Sequence, residues 1–374
     1  MCVHITRLEF VLCFCICYTV VNITKPGAYR VEGKLSAGQI RVDLGEDAYE
    51  DEAAVVELIL DNADITCTVA PAIVFLNVYE CDGNWDEATA TPDVDTSAAG
   101  ANLILEGANT VNGSHVARIY KDAEGEKKLW KQDGAIYSYM SMNVFGPGKL
   151  TLNAANEGMD TELHLTINGG DISILSDNDG INTNEDGVSV TTINGGKLTV
   201  LVTGETGEGD GIDSNGWLVI NGGTVNASAC GFSGDAGIDS DMGIHINGGT
   251  VIATGHLLDR IEDGGQNYTV FQFAQKQTGS ETVTMKDQEN KTLLEVKPEN
   301  AYSILIFSSP NLKAGNYTLW SNEKQLAGSS GGMMGGPGMG SGGMNRPEHP
   351  DNMQPPADGG QPPEGFGKPS EEFT

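Results

Sequence analysis

The sequence predicts an all-β protein built as a parallel β-helix, and three observations carry that expectation. A four-residue turn recurs at near-constant spacing: Ile167-Asn168-Gly169-Gly170, Ile193-Asn194-Gly195-Gly196, Ile220-Asn221-Gly222-Gly223 and Ile246-Asn247-Gly248-Gly249, at intervals of 26, 27 and 26 residues. Between the turns, apolar and polar residues alternate with a period of two, which is the periodicity of strands. No helical pattern intervenes to cover the apolar face, so each unit can bury that face only by stacking on its neighbours, as in a solenoid.

Charge narrows the partners. The 374 residues include 21 Lys or Arg against 52 Asp or Glu, a formal charge of −31. Such a chain is repelled by nucleic acid and by anionic membranes, so neither is expected as a partner.

Taken in order, residues 1–22 hold an apolar run at 10–21 behind Arg7. It is too short to span a bilayer but matches the apolar region of an export signal. No stable membrane span is expected, and the chain reads as extracellular or cell-surface. A small-residue cleavage site is missing, and no small residues precede Cys2, Cys13, Cys15 or Cys17 to form a lipid-attachment box. The remaining cysteines, Cys67, Cys81 and Cys230, are odd in number and scattered, which suggests neither a zinc site nor a disulfide framework.

The β-helix is expected over 23–255. Its early coils are loose, at 28–44, 55–69, 73–79 and 103–112, with Ala72-Ile73 and Ala135-Ile136 in the slot that Gly-Ile occupies later. From residue 135 the units are regular. Seven or eight coils at about 4.8 Å per step would give a rod on the order of 35–40 Å long. After Gly255 the period ends, and 256–328 reads as a β cap with antiparallel strands near 270–273, 283–285, 293–296, 302–307 and 317–320. An open end of stacked strands requires such a cover. Residues 329–374 are rich in Gly, Met and Pro and read as a flexible tail. Met333, Met334, Met339, Met344 and Met353 lack His or Cys companions, so they read as linker rather than a soft-metal site.

The chemistry concentrates at the coil turns. A second motif leads each unit: Gly158-Met159-Asp160, Gly180-Ile181-Asn182, Gly211-Ile212-Asp213 and Gly237-Ile238-Asp239. In three units seven positions separate the acid from the Ile of the Asn-Gly-Gly turn; the second unit has eleven, an insertion of four around 184–187. Stacking would place Asp160, Asn182, Asp213 and Asp239 in one column, with Asp177, Asp179, Asp210 and Asp235 beside it. Between Leu150 and Asp259 there are sixteen Asp or Glu and one base, Lys197. Unit charges about 4.8 Å apart repel by roughly 1 kcal/mol in water and several times that when partly buried. A hard dication held by oxygens, calcium rather than zinc or copper, is the expected counter-charge. Asn182, Asn184 and Asp186 copy the first half of a helix-loop-helix calcium loop, but Ile193 stands where its bidentate Glu belongs. The competing reading is that Asp and Asn before Gly are turn residues alone. For the Asn-Gly-Gly turns that reading suffices. It explains neither the scarcity of Lys nor the acid that recurs after an inward Ile.

Trp217 aligns with His164, Val190 and Gly243 in an outward column, where it reads either as an exposed platform for a sugar ring or as a surface Trp folded against a neighbouring loop. Trp85, Trp130, Tyr137 and Tyr139 fall in or near loops of earlier coils. The six His show no metal-ligand spacing.

The units Gly-Ile-Asp-Ser…Ile-Asn-Gly-Gly-Thr-Val, the opening Ile23-Thr24-Lys25-Pro26-Gly27-Ala28-Tyr29 and the closing Ser308-Ser309-Pro310-Asn311-Leu312-Lys313 together resemble the clostridial-type carbohydrate-binding β-helix family, over roughly residues 23–320 and into the tail. The resemblance implies a secreted, calcium-binding, right-handed, single-stranded parallel β-helix of pectate-lyase-like shape. It also implies that plant cell-wall polysaccharide, including polygalacturonate (pectin) and cellulose, is the partner. Carried over by position, the implied calcium ligands are the Asp and Asn of the coil turns.

Three functions follow from these features: a calcium-dependent binder, a calcium-dependent pectate lyase, and a structural surface solenoid without a sugar ligand. A lyase needs a base beside the metal, and the acidic stretch offers only Lys197, with Lys149 and Arg260 at its borders. No Asp/Glu pair is singled out for glycoside hydrolysis. The expectation is therefore a monomeric, non-enzymatic binder.

Overall fold

The computed structural model describes residues 18–121 and 127–326, together with the backbone of two short strands, Val3–His4 and Ser329–Gly331. The protein is all-β, with one short 3-10 turn at Glu46–Glu50 among the described residues. Most of the N-terminal apolar run and nearly all of the tail lie outside the described residues.

Three parallel ladders organise the chain. The first pairs Thr19–Ile23, Gly38–Asp43, Ile73–Asn77, Gly134–Ser138, Glu157–Thr161 and Ile181–Thr183, each strand parallel to the next. It begins four residues ahead of the expected boundary at Ile23. The second runs through Val56–Thr66, Ala101–Glu106, Met142–Phe145, Leu165–Ile167, Val190–Ile193, Trp217–Ile220 and Gly243–Ile246. The third takes the far end of Val56–Thr66 and continues through Ala108–Gly113, Lys149–Ala154, Asp171–Ser176, Lys197–Val202, Thr224–Ser228 and Thr250–Gly255. The chain visits the three in rotation: 134–138, 142–145 and 149–154, then 157–161 and onward. The long strand Val56–Thr66 pairs into both the second and third ladders and so joins them into one sheet.

The interior is a column of aligned apolar residues. Ile40 pairs with Ile73, Ile73 with Ile136, Ile136 with Met159, Met159 with Ile181, and Ile181 with Ile212. The Asp239 amide bonds to the Ile212 carbonyl, which adds Ile238 to the series. These side chains share one buried cluster with Val144, Ile167, Ile193, Ile220 and Ile246 of the second ladder and Leu152, Ile174, Val200, Ala227 and Ala253 of the third. Since burial of an aliphatic side chain contributes roughly 1.5–3 kcal/mol, a polar residue in this column would cost a whole rung. The Gly-Ile slot and its Ala-Ile counterparts therefore align as the repeat implied.

At the Asn-Gly-Gly turns, Gly170, Gly196, Gly223 and Gly249 have φ of 99°, 81°, 79° and 81°, the left-handed backbone that favours glycine. The preceding asparagines are bonded in series: Nδ2 of Asn194, Asn221 and Asn247 donates to Oδ1 of Asn168, Asn194 and Asn221 at 2.9, 2.9 and 2.8 Å. The turn sequence thus fixes the chain reversal and also ties neighbouring units together.

The repeat alone does not describe the whole sheet system. Past Gly255 the strands turn antiparallel: Tyr302–Ser308 pairs with both Thr250–Gly255 and Tyr268–Gln277. The main sheet is therefore mixed, and the C-terminal strands extend it in register. A further antiparallel sheet holds Val283–Lys286, Thr292–Val296 and Thr318–Ser321 over its own core of Phe273, Met285, Tyr302 and Leu319.

Two insertions interrupt the unit between Ile73 and Ile136. One is the antiparallel hairpin Val116–Lys121 with Lys127–Gln132. The other, residues 79–99, lies across the outer face of the second ladder. There Asp82 meets His164 at 3.2 Å, and the Thr96 hydroxyl donates to Asn143 Oδ1 at 2.8 Å and lies 2.7 Å from the Thr166 hydroxyl.

Candidate functional site

The first ladder sets the site. Asp160 pairs in register with Asn182, and the Asp213 amide bonds to the Ile181 carbonyl and that of Asp239 to the Ile212 carbonyl. Asp160, Asn182, Asp213 and Asp239 therefore occupy successive rungs. A second row arises three residues earlier, where Glu157, Asp179 and Asp210 precede the glycine of each unit. Its members accept from the next rung's backbone: the Asp210 amide donates to Asp179 Oδ1 at 2.6 Å, and the Ala236 amide to Asp210 Oδ1 at 2.5 Å.

The rows meet at Asp210, Asp213 and Asp239, three buried carboxylates with oxygens within 4.8 Å of one another. Burial pushes the Asp210 carboxyl well above the usual range, and the neighbouring charges of Asp213, Asp179 and Asp239 push it further. Asp179 is raised by burial and then by Glu157, Asp213 and Asp235. One rung further on, Asp160 is fully buried. Its Oδ1 accepts from Asn184 Nδ2 at 2.8 Å, while its Oδ2, Glu157 Oε2 and Asn182 Oδ1 are buried without a hydrogen-bond partner. Burial raises both Glu157 and Asp160, and Asp133 raises both again, while Lys131 acts on both in the opposite sense. Lys131 enters from the hairpin and lies 3.0 Å from Asp133.

The remaining expected ligands lie outside the three-carboxylate cluster. Asp177 Oδ1 accepts from the Thr203 hydroxyl at 2.8 Å. Asp235 Oδ2 accepts from the Gly209 amide at 2.6 Å and from the Ser233 hydroxyl. Asp186 is exposed and bonded to Asn215 at 2.9 Å, and Asn184 turns its amide nitrogen toward Asp160.

At Trp217 the structure takes the second of the two readings, the Trp folded against a neighbouring loop, and the platform falls. It aligns with Val190 and Gly243 as the repeat implied, yet its side chain is only 8% exposed, packed with Val190 and Val219 against Ala90, Val94 and Met242. Residues 79–99 cover this outward column, so the indole offers no open platform. The same cover buries His164 to 1% exposure and supplies Asp82 to its Nε2. Tyr137 and Tyr139 are buried too, in a T-shaped pair at 5.1 Å, with the Tyr137 hydroxyl on Glu162.

Sequence reasoning missed Glu157, Glu162 and Lys131. Glu157 was legible: Glu157-Gly158, Asp179-Gly180 and Asp210-Gly211 hold the same slot. Lys131 was not, since it arrives on an insertion outside the period.

Aligned strands stacked on an apolar interior, with acids in register along one edge, define a repetitive all-β scaffold. The chain belongs to the carbohydrate-binding domain-containing protein family, whose family model matches residues 18–297. A member from Acetivibrio thermocellus is 29% identical over 155 residues, which is 41% of this chain and 44% of the relative. The chain thus spans less than half the length of the curated relative it matches. A solved structure of a polysaccharide lyase-like protein from C. thermocellum, a gadolinium derivative, is similar over 62% of this chain and 80% of its own, at 22% identity and a TM-score of 0.40.

Proposed function

We propose that the protein is an extracellular or cell-surface, calcium-dependent binder of acidic plant cell-wall polysaccharide, polygalacturonate foremost and cellulose second, built as a right-handed parallel β-helix and acting as a monomer without catalysis. Family membership supports the carbohydrate. The observation that carries the calcium is the convergence of Asp210, Asp213 and Asp239, buried and within 4.8 Å of one another.

The donor set fits a hard cation. All the groups are oxygens, and three more on the next two rungs, Asn182 Oδ1 and then Asp160 Oδ2 and Glu157 Oε2, are buried without a hydrogen bond. Asp210, Asp213 and Asp239 would hold the ion, with Asp179 beside them. Bound calcium would supply a positive centre able to accept a uronate carboxylate, which turns the repulsion between two polyanions into attraction. Lys197, the base considered for a lyase, is instead paired with Asp171 at 3.5 Å on the third ladder. That placement favours the binder.

The test is retention on insoluble polygalacturonate with calcium and with chelator, alongside the absorbance of unsaturated products. Calcium-dependent retention without new absorbance is expected. Retention that ignores chelation contradicts the calcium, and rising absorbance contradicts the non-enzymatic reading.

A further inference from the structure

Sequence reasoning placed the sugar platform at Trp217, which is covered. Of the aromatic side chains described, Phe232 alone is exposed, at 62%; the others are buried or half-buried. It projects from residues 229–235, the segment that ends at Asp235 beside the carboxylate rows. An exposed aromatic on a loose loop would mean little, but this segment is held at several points. The Cys230 amide bonds to the Gly209 carbonyl at 2.9 Å, and Asp235 holds the Gly209 amide at 2.6 Å. The Gly231 carbonyl meets two side chains from the C-terminal region, His256 Nε2 at 3.1 Å and Lys276 Nζ at 3.0 Å. The adjacent turn makes room for the ring: Gly204 has φ of 73°, and a methyl group there would come within 2.9 Å of Phe232 Cζ.

The surroundings are uneven in charge. Lys276 is an exposed ammonium in a chain of charge −31, held one residue from the ring. Exposed Leu257, whose amide bonds to the Asp235 carbonyl at 3.2 Å, and exposed Leu258 extend the apolar surface. Exposed Glu205 and Glu208 lie on the neighbouring turn. A pyranose has an apolar C–H face and, in a uronate, one carboxylate. Phe232 offers a π face to the first and Lys276 a donor to the second.

We propose that Phe232 and Lys276 form a subsite for one uronate ring of the polysaccharide, next to the Asp210–Asp213–Asp239 cluster: Phe232 stacks on the ring and Lys276 takes its carboxylate. This deepens the calcium-dependent binding reading and rests on it. The subsite lets the polymer be held twice, at the cation and at the ring.

Affinity electrophoresis in gels of polygalacturonate and of methyl-esterified pectin, with calcium present, tests it in the full chain. Phe232→Ala should weaken binding to both polymers roughly tenfold, the scale of one aromatic contact, and Phe232→Trp should restore it. Lys276→Met should weaken binding to polygalacturonate and leave that to the esterified polymer unchanged. Melting temperature and calcium titration should match the wild type in all three variants. Phe232→Ala migrating as wild type in polygalacturonate overturns the subsite alone. Equal effects of Lys276→Met on both polymers overturn its assignment to the carboxylate. Wild type that ignores polygalacturonate in calcium overturns the binding reading and the subsite with it.

Discussion

Replacing Asp210 by Asn changes the charge of the buried cluster while keeping its shape, and its effect on stability should reverse sign with calcium. The carboxamide oxygen can still accept from the Ala236 amide, which now bonds Asp210 Oδ1 at 2.5 Å. What is lost is one negative charge within 4.8 Å of Asp213 and Asp239. At an effective dielectric of 20, a pair of like charges at that distance costs about 3.5 kcal/mol. Part of this is already relieved, because burial and the neighbouring charges raise the Asp210 pKa. A net stabilisation of about 1–2 kcal/mol in chelator follows, a rise of a few degrees in Tm. With saturating calcium the same substitution removes a ligand and should lower Tm, since the lost affinity for the ion is lost stability. Thermal unfolding by circular dichroism in both conditions measures the two shifts. A loss of Tm in chelator as large as that in calcium would refute the reasoning and leave Asp210 a turn residue.

The pH dependence of the calcium-free protein has a definite sign. Burial, with Glu162 and Asp186 nearby, pushes the Glu185 carboxyl from 4.5 up to about 7, and Asp179 and Asp210 are also raised. A carboxyl raised by folding contributes stability that is complete below its unfolded pKa and lost as pH rises through its folded one. In chelator, Tm should therefore fall between about pH 4.5 and 7 and change less in calcium; a Tm that climbs over this window contradicts the raised values. Trp217→Ala should destabilise by about 3–5 kcal/mol, the cost of emptying a buried aromatic site, as measured by urea unfolding. The folded variant should still be retained on polygalacturonate; loss of retention without loss of stability would make Trp217 a sugar contact.

The legibility of this molecule follows its periodicity. Gly-Ile-Asp and Ile-Asn-Gly-Gly recur because every rung meets the same neighbours, so aligning the repeats aligns Ile181 with Ile212 and Asn194 with Asn221. The acid column was readable for the same reason. The antiparallel strands at 268–308 were foreseen as a cover, but their pairing in register with Thr250–Gly255 was not, because nothing in the repeat sets the partner of its last strand. The burial of Trp217 was hidden: Ala90 and Val94 come from an insertion more than a hundred residues upstream, and an insertion has no period to align. Lys131 reaches the acids by the same kind of route. The fate of Asp186 turned on four inserted residues, which change the direction of a side chain without changing the motif.

The central claim is that buried carboxylates stacked in register are held together by a divalent ion. A crystal structure of calcium-saturated protein, with anomalous scattering to identify the ion, tests it most directly. The account predicts density bridging Asp210, Asp213 and Asp239 at calcium–oxygen distances of about 2.3–2.6 Å. Carboxylates turned away from one another around a site without density would contradict it.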